Sequence, residues 1–248
     1  MQIGAQTDRG KNRDHNEDAL LALEAESVFL VADGVGGHRA GEVASGTAAA
    51  LLRQRLAARP LKGETDEDAV REYFLEYLQE ANGTIEALAR QNPENAGMAT
   101  TAVLLYVGGS RAFVANVGDS RAYLLRDGVL RQITEDHTFV NQLLKEGTIT
   151  DREACNHPSR NMITRALGGE ETVAPDFYLF PVFEGDVLLL CSDGLYNEVE
   201  EEAIGRHAEE ASDMQSLADR LVALANENGG GDNITVVCVR IGIEEEEV

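Results

Sequence analysis

Residues 100–133 read TTAVLLYVGGSRAFVANVGDSRAYLLRDGVLRQI, and this stretch decides the fold class. Four apolar runs, Thr100–Val107, Arg111–Val117, Arg121–Leu125 and Val129–Ile133, follow one another closely. Gly108-Gly109-Ser110 joins the first two, and Arg126-Asp127-Gly128 joins the last two. Both connectors are turn sequences too short for a crossover helix, so the runs predict antiparallel hairpins. Working outward, Ser27–Ala32, Val173–Phe180, Val187–Ser192 and Ile234–Ile241 are further strand candidates. Helical spacing marks Ala40–Ala58 and Asp66–Gln91 before the hairpins, and Glu198–Glu209 and Asp213–Asn228 after them. Phe139–Glu146 and Asp151–Ala154 read as short helices in an irregular polar stretch reaching Gly169. Paired helices and hairpins in separate blocks predict an α+β fold with helices covering antiparallel sheets, not a βαβ series.

The chain has 248 residues, 43% of them hydrophobic and 26% charged, an ordinary balance for a folded domain with a sizeable core. Twenty-one basic against 44 acidic side chains give a net charge of −23, which repels nucleic acid and anionic membranes. No run approaches the roughly 20 apolar residues of a membrane helix. The first residues have neither the basic start nor the apolar core of a signal peptide, and the three cysteines lack paired spacing. A reduced, cytoplasmic protein is the expectation, with Cys191 and Cys238 as buried thiols. The acidic run Glu244–Glu247 reads as a solvated tail over residues 243–248, and residues 1–242 as one domain.

The surplus acids are patterned. Val28–Ala32 runs into Asp33-Gly34, Val114–Gly118 into Asp119, and Val187–Ser192 into Asp193-Gly194; Gly229–Asn233, carrying Asp232, opens the last strand. Alone, an Asp-Gly pair is an ordinary turn. Four such sites against apolar strands, in an antiparallel arrangement, bring four carboxylates to one end of the sheets. Carboxylates at the edge of a core are costly without compensation, and few bases stand nearby. Carboxylates, carbonyls exposed by glycine, and water form a hard-oxygen shell suited to Mg²⁺, Mn²⁺ or Ca²⁺. Arg13, within Arg13-Asp14-His15-Asn16-Glu17-Asp18, offers a planar fork for phosphate. No nucleophile elbow is present, and neither Cys191 nor Cys238 has arginine six residues on. Water activated at metal is the remaining route to hydrolysis. A phosphopeptide-binding module and an acidic cation-binding protein are the competing readings.

Six segments, in this order, resemble the metal-dependent protein phosphatases, the type 2C serine/threonine family, in its compact bacterial form. They are Arg13–Asp18, Asp33-Gly34-Val35-Gly36-Gly37, Gly97–Thr101, Gly118-Asp119-Ser120-Arg121, Ser192-Asp193-Gly194-Leu195 and Gly231-Asp232-Asn233. The resemblance implies a four-layer αββα sandwich of two antiparallel sheets flanked by helices, with a flap at about 139–169. It implies hydrolysis of phosphoserine and phosphothreonine by a water activated at a binuclear Mn²⁺ or Mg²⁺ centre. Asp33 would bridge the two ions, Gly34 would offer its carbonyl, and Asp193 and Asp232 would complete one shell. Glu17 and Asp18 would act through water, Asp119 with Asp193 would form a third, weaker position, and Arg13 would hold the phosphate. Phosphoproteins and an opposing serine/threonine kinase are the partners implied, with a monomeric enzyme expected. Two positions depart from the pattern: Val35 stands where animal members carry a histidine proposed as general acid, and Ala99 where glycine is commoner. His38 is the nearby alternative donor.

Overall fold

A computed structural model describes residues 1–37, 40–155, 157–169 and 171–242. His38 and the acidic tail therefore lie outside the described residues. The strands are β1 (Gln2–Asp8), β2 (Asp18–Leu23), β3 (Val28–Val35), β4 (Ala99–Thr100), β5 (Ala102–Gly108), β6 (Arg111–Val117), β7 (Arg121–Arg126), β8 (Val129–Gln132), β9 (Asp176–Pro181), β10 (Val187–Cys191) and β11 (Ile234–Arg240). The helices are α1 (Ala40–Ala58), α2 (Glu67–Gln91), α3 (Phe139–Lys145), α4 (Asp151–Cys155), α5 (Asp193–Tyr196), α6 (Glu201–Glu210) and α7 (Met214–Asn228). One sheet runs β1-β11-β10-β7-β8; the other runs β2-β3-β5-β6-β9, with β4 on the end of β3. Every pairing between these strands is antiparallel.

The two-residue period of the strands sorts their side chains into three apolar layers. In β3, Val28, Leu30 and Ala32 face α1 and α2, whereas Phe29 and Val31 face the other sheet. In β10, Val187, Leu189 and Cys191 face α6 and α7, whereas Leu188 and Leu190 point inward to meet them. The result is the expected four-layer αββα sandwich. Ala40, Ala44 and Ala48 let α1 lie close on its sheet. On α2, Tyr77 donates its hydroxyl to the Ala48 carbonyl at 2.8 Å, tying the two helices together. Asp66 caps α2 and Asp213 caps α7 by accepting backbone N–H groups. Asp127 and Gly128 both have positive φ, so the β7–β8 connection is the tight turn that its Asp-Gly predicts.

Several boundaries differ from the sequence expectation, and β1, β2 and α5 are additional elements. Gln2–Asp8 carries little apolar signal, and Asp18–Leu23 (DALLAL) has no strand-like alternation; sheet pairing, not propensity, makes them strands. β3 continues through Asp33-Gly34-Val35 instead of stopping at Ala32. The expected strand Thr100–Val107 is interrupted at Thr101. There the hydroxyl of Thr101, not its carbonyl, accepts the Asp33 N–H at 2.8 Å, while the Asp33 carbonyl still accepts the Thr101 N–H. β9 begins at Asp176 and α6 at Glu201, each three residues later than expected.

Candidate metal centre

Strand period places the first acids. Asp33 follows Phe29 and Val31 on the inward face of β3, and its register partner on β2 is Asp18, which follows the same inward face as Leu20 and Ala22. On β11, Thr235 shares the inward face with Val237 and Val239, and its hydroxyl donates to Asp18 Oδ2 at 2.6 Å. Both carboxylates thus stand at the open mouth between the sheets. Antiparallel pairing supplies the rest. The end of β10 lies beside the start of β11, so Asp193 meets Asp232; β3 and β6 both run antiparallel to β5, so Asp119 lies at the same edge as Asp33. Arg13, Glu17, Asp33, Gly34, Val35, Asp119, Asp193 and Asp232 all line one cavity of about 240 Å³.

The site is short of positive charge. Burial, reinforced by Asp18, Asp193 and Asp119, holds the Asp33 carboxyl well above the usual carboxylate range. Burial likewise pushes Asp18 and Asp119 up to about 7 and Asp193 up to about 6. Burial also raises Glu17, despite the opposing influence of Arg13. Asp18 Oδ1 and Asp193 Oδ1 are buried without a hydrogen-bond partner, although Ser192 and Thr235 hold the other oxygen of Asp18. Orphaned carboxylate oxygens are what a hard cation satisfies, so this donor set fits divalent ions. The backbone fits too: a Cβ on Gly34 would lie 2.2 Å from the Gly41 carbonyl and 2.5 Å from that of Glu17. No other residue suits that position.

Among the described residues, no three of these acids are already drawn together as a finished ion cage. Arg13 Nη2 instead bonds Asp232 Oδ2 at 2.6 Å. Arg13 and Asp232 are 49% and 32% exposed, so the pair is weakly held and open to exchange for a ligand.

The structure gives roles to motif residues that had none and adds two from the flap. Asn233 accepts the Glu17 N–H at 2.8 Å and donates to the carbonyls of Arg9 and His15, fastening the loop that carries Arg13 to the head of β11. Thr101 bonds both Asp33 and Ser120. Asn161 and Ile163, from the flap, wall the cavity, and neither carries a signal in one dimension. His157 accepts the Ser159 N–H at 3.1 Å and packs on Phe139, so it serves a turn. Val35 is 37% exposed at the lip of the cavity.

An acid-lined mouth between two antiparallel sheets, with an arginine beside it, is a site for cations and anions together, and comparison with known proteins gives its class. The family model for protein phosphatase 2C matches residues 5–232. The serine/threonine phosphatase stp of Listeria monocytogenes is 41% identical over 242 residues, covering 96% of this chain and 95% of its own length. The protein phosphatase PhpP of Streptococcus pneumoniae is 36% identical over 250 residues, covering both chains fully. The catalytic domain of the serine/threonine phosphatase PstP, solved in complex with two manganese ions, superposes with a TM-score of 0.85 at 38% identity, covering 98% of each chain. The chain belongs to the protein phosphatase 2C family and is a phosphoprotein phosphatase. Among the described residues, no helix is long and apolar enough to cross a membrane.

Proposed function

We propose that the chain hydrolyses phosphoserine and phosphothreonine in proteins at the acid cluster, with the residue roles that follow. The cofactor is Mn²⁺ or Mg²⁺. Asp33, Gly34 through its carbonyl, Asp193 and Asp232 would hold two ions, with Asp33 common to both; Glu17 and Asp18 would contribute through water, and Asp119 with Asp193 would hold a third. Bound there, the ions would supply the charge that makes a water nucleophilic near neutral pH and offsets the phosphoryl oxygens. The protein's own residues do the rest. Arg13 leaves Asp232 for the substrate phosphate, fixing its orientation with a planar two-point contact. Ser192 and Thr235 hold Asp18 in one rotamer. Val35 has no proton to give, so the leaving oxygen takes its proton from water or from His38.

Residues 1–242 act as one catalytic domain and 243–248 as an acidic tail. The enzyme works as a cytoplasmic monomer in signalling, opposing a serine/threonine kinase. The observation that carries the reading is the convergence of Asp18, Asp33, Asp193 and Asp119 with two buried carboxylate oxygens left unpartnered. Purified protein should release phosphate from p-nitrophenyl phosphate and from a phosphothreonine peptide with Mn²⁺ or Mg²⁺, and not in EDTA. Full turnover in EDTA would reject it, as would peptide binding without turnover at any metal concentration.

A further inference from the structure

His137 is 6% exposed and lies outside every motif that carries the family resemblance. It holds both main-chain polar groups of one residue, Gly118. Its main-chain N–H donates to the Gly118 carbonyl at 3.0 Å, and its ring Nδ1 accepts the Gly118 N–H at 3.1 Å. A backbone N–H only donates, so Nδ1 accepts and carries no proton. Nε2, on the opposite edge, stands 3.1 Å from Asp176 Oδ2 and 3.1 Å from Arg165 Nη1. Burial, with Arg165 alongside, keeps the imidazole below its ordinary pKa.

Gly118 needs such a clamp. Its φ of +104° lies in the left-handed region, and a Cβ there would stand 2.5 Å from Thr101 Cγ2. The next residue is Asp119. On its other side His137 holds the flap. Its carbonyl accepts the Thr164 N–H at 2.7 Å, Thr138 bridges to Ile163, and the Phe139 N–H reaches the Met162 carbonyl at 2.9 Å. Arg165 donates to Asp176 Oδ1 at 3.0 Å, closing the link between Asp176 and the flap. Asn161 and Ile163, which wall the metal cavity, belong to the segment so held.

We propose that His137 is a positioning residue for the phosphatase reaction: one imidazole edge sets the Gly118–Asp119 corner of the metal cavity, and the opposite edge, through Asp176 and Arg165, sets the flap segment 161–165 that walls it. Metal occupancy at Asp119 and substrate engagement by the flap are thereby mechanically linked. The first half of this inference rests on the reading of Asp119 as a metal position.

Amide side chains separate the two edges. Asparagine places its oxygen where Nδ1 sits but falls short of Asp176, whereas glutamine reaches toward Asp176 without serving Gly118. Two quantities are measured on each variant: the Mn²⁺ concentration giving half-maximal turnover of p-nitrophenyl phosphate, and the KM for a phosphothreonine peptide. His137→Ala should raise both, by about tenfold, the scale of losing a partner that orients a metal ligand. His137→Asn should restore the Mn²⁺ midpoint while KM stays high, and His137→Gln should show the reverse. A uniform fall in kcat across the three variants, with neither quantity moved, would overturn the proposal, as would identical behaviour of the Asn and Gln variants. Asp119→Ala is the reference. If it leaves the Mn²⁺ midpoint unchanged, the assignment of Asp119 fails; if it moves the midpoint and His137→Ala does not, the positioning role alone fails.

Discussion

Strand β10 carries an aspartate beyond each end, and the two have opposite fates. Asp186, just before Val187, is 3% exposed and fully matched. Arg126 meets it with two parallel bonds of 2.9 and 2.6 Å, and the Phe183 N–H donates to it at 2.8 Å. Asp193, just past Ser192, has one buried oxygen without a partner, and its other oxygen accepts from the Asn197 amide at 3.0 Å. The strand is the same and the residue type is the same. What differs is whether the fold brings a cation of its own to the spot. At one end a guanidinium completes the site and the carboxylate serves stability; at the other the charge is left for an ion from outside, and the carboxylate serves chemistry.

The contrast is broken most directly by removing each acid in turn. Asp193→Ala should lower Mn²⁺-dependent turnover by about 10³-fold, the scale of several kcal/mol of transition-state stabilisation from metal. Wild-type turnover in this variant would end the metal assignment. Asp186→Ala should leave that turnover and its Mn²⁺ dependence intact. It should instead destabilise the fold by about 2–3 kcal/mol in urea unfolding, because Arg126 and the Phe183 N–H lose their acceptor. A smaller effect is expected at Arg13. Arg13→Ala should raise the KM for a phosphothreonine peptide about tenfold, roughly 1.4 kcal/mol, and slow kcat less.

The smallest effect is in pH. Asp18, Asp119 and Asp193 titrate higher in the folded protein, at about 7, 7 and 6, than the ordinary value near 4. Between those limits the folded state holds more protons than the unfolded one. Stability of the metal-free protein is therefore greatest below about pH 4 as far as these groups go, and is lost as pH rises through 6–7. In EDTA, the melting midpoint should therefore rise when pH drops from 7.5 to 5.5. With saturating Mn²⁺ the slope should reverse, since protons then compete with the ions. The same slope with and without Mn²⁺ in calorimetry would contradict the shared-site picture.

Much of this was legible in one dimension because it repeats a local rule. The hairpins of 100–133 announce themselves by turn chemistry, α1 and α2 by spacing and by Pro93 beyond the second, and the acids by apolar runs that stop at Asp-Gly. Other parts have no local signature. β1 is an edge strand with two apolar side chains to bury; its place is set by pairing along all of β11 and by the Gln215 amide of α7, which bonds Ala5 N–H and carbonyl like a missing strand. The Arg13–Asp232 pair, the Asn233 fastening and the His137 clamp join residues up to 224 positions apart.

The order of residues alone decided that the central strands would be apolar on both faces, that they would form antiparallel sheets under helices, and that acids would sit at strand ends beside glycine. Those outcomes follow from periodicity, turn residues and the cost of burying charge, all of which act within a few residues. Only the three-dimensional fold decided which acids found a cation within the chain and which did not. That outcome depends on distances through space at the low-dielectric mouth of the sandwich, where a carboxylate's ionisation is governed by neighbours from other strands.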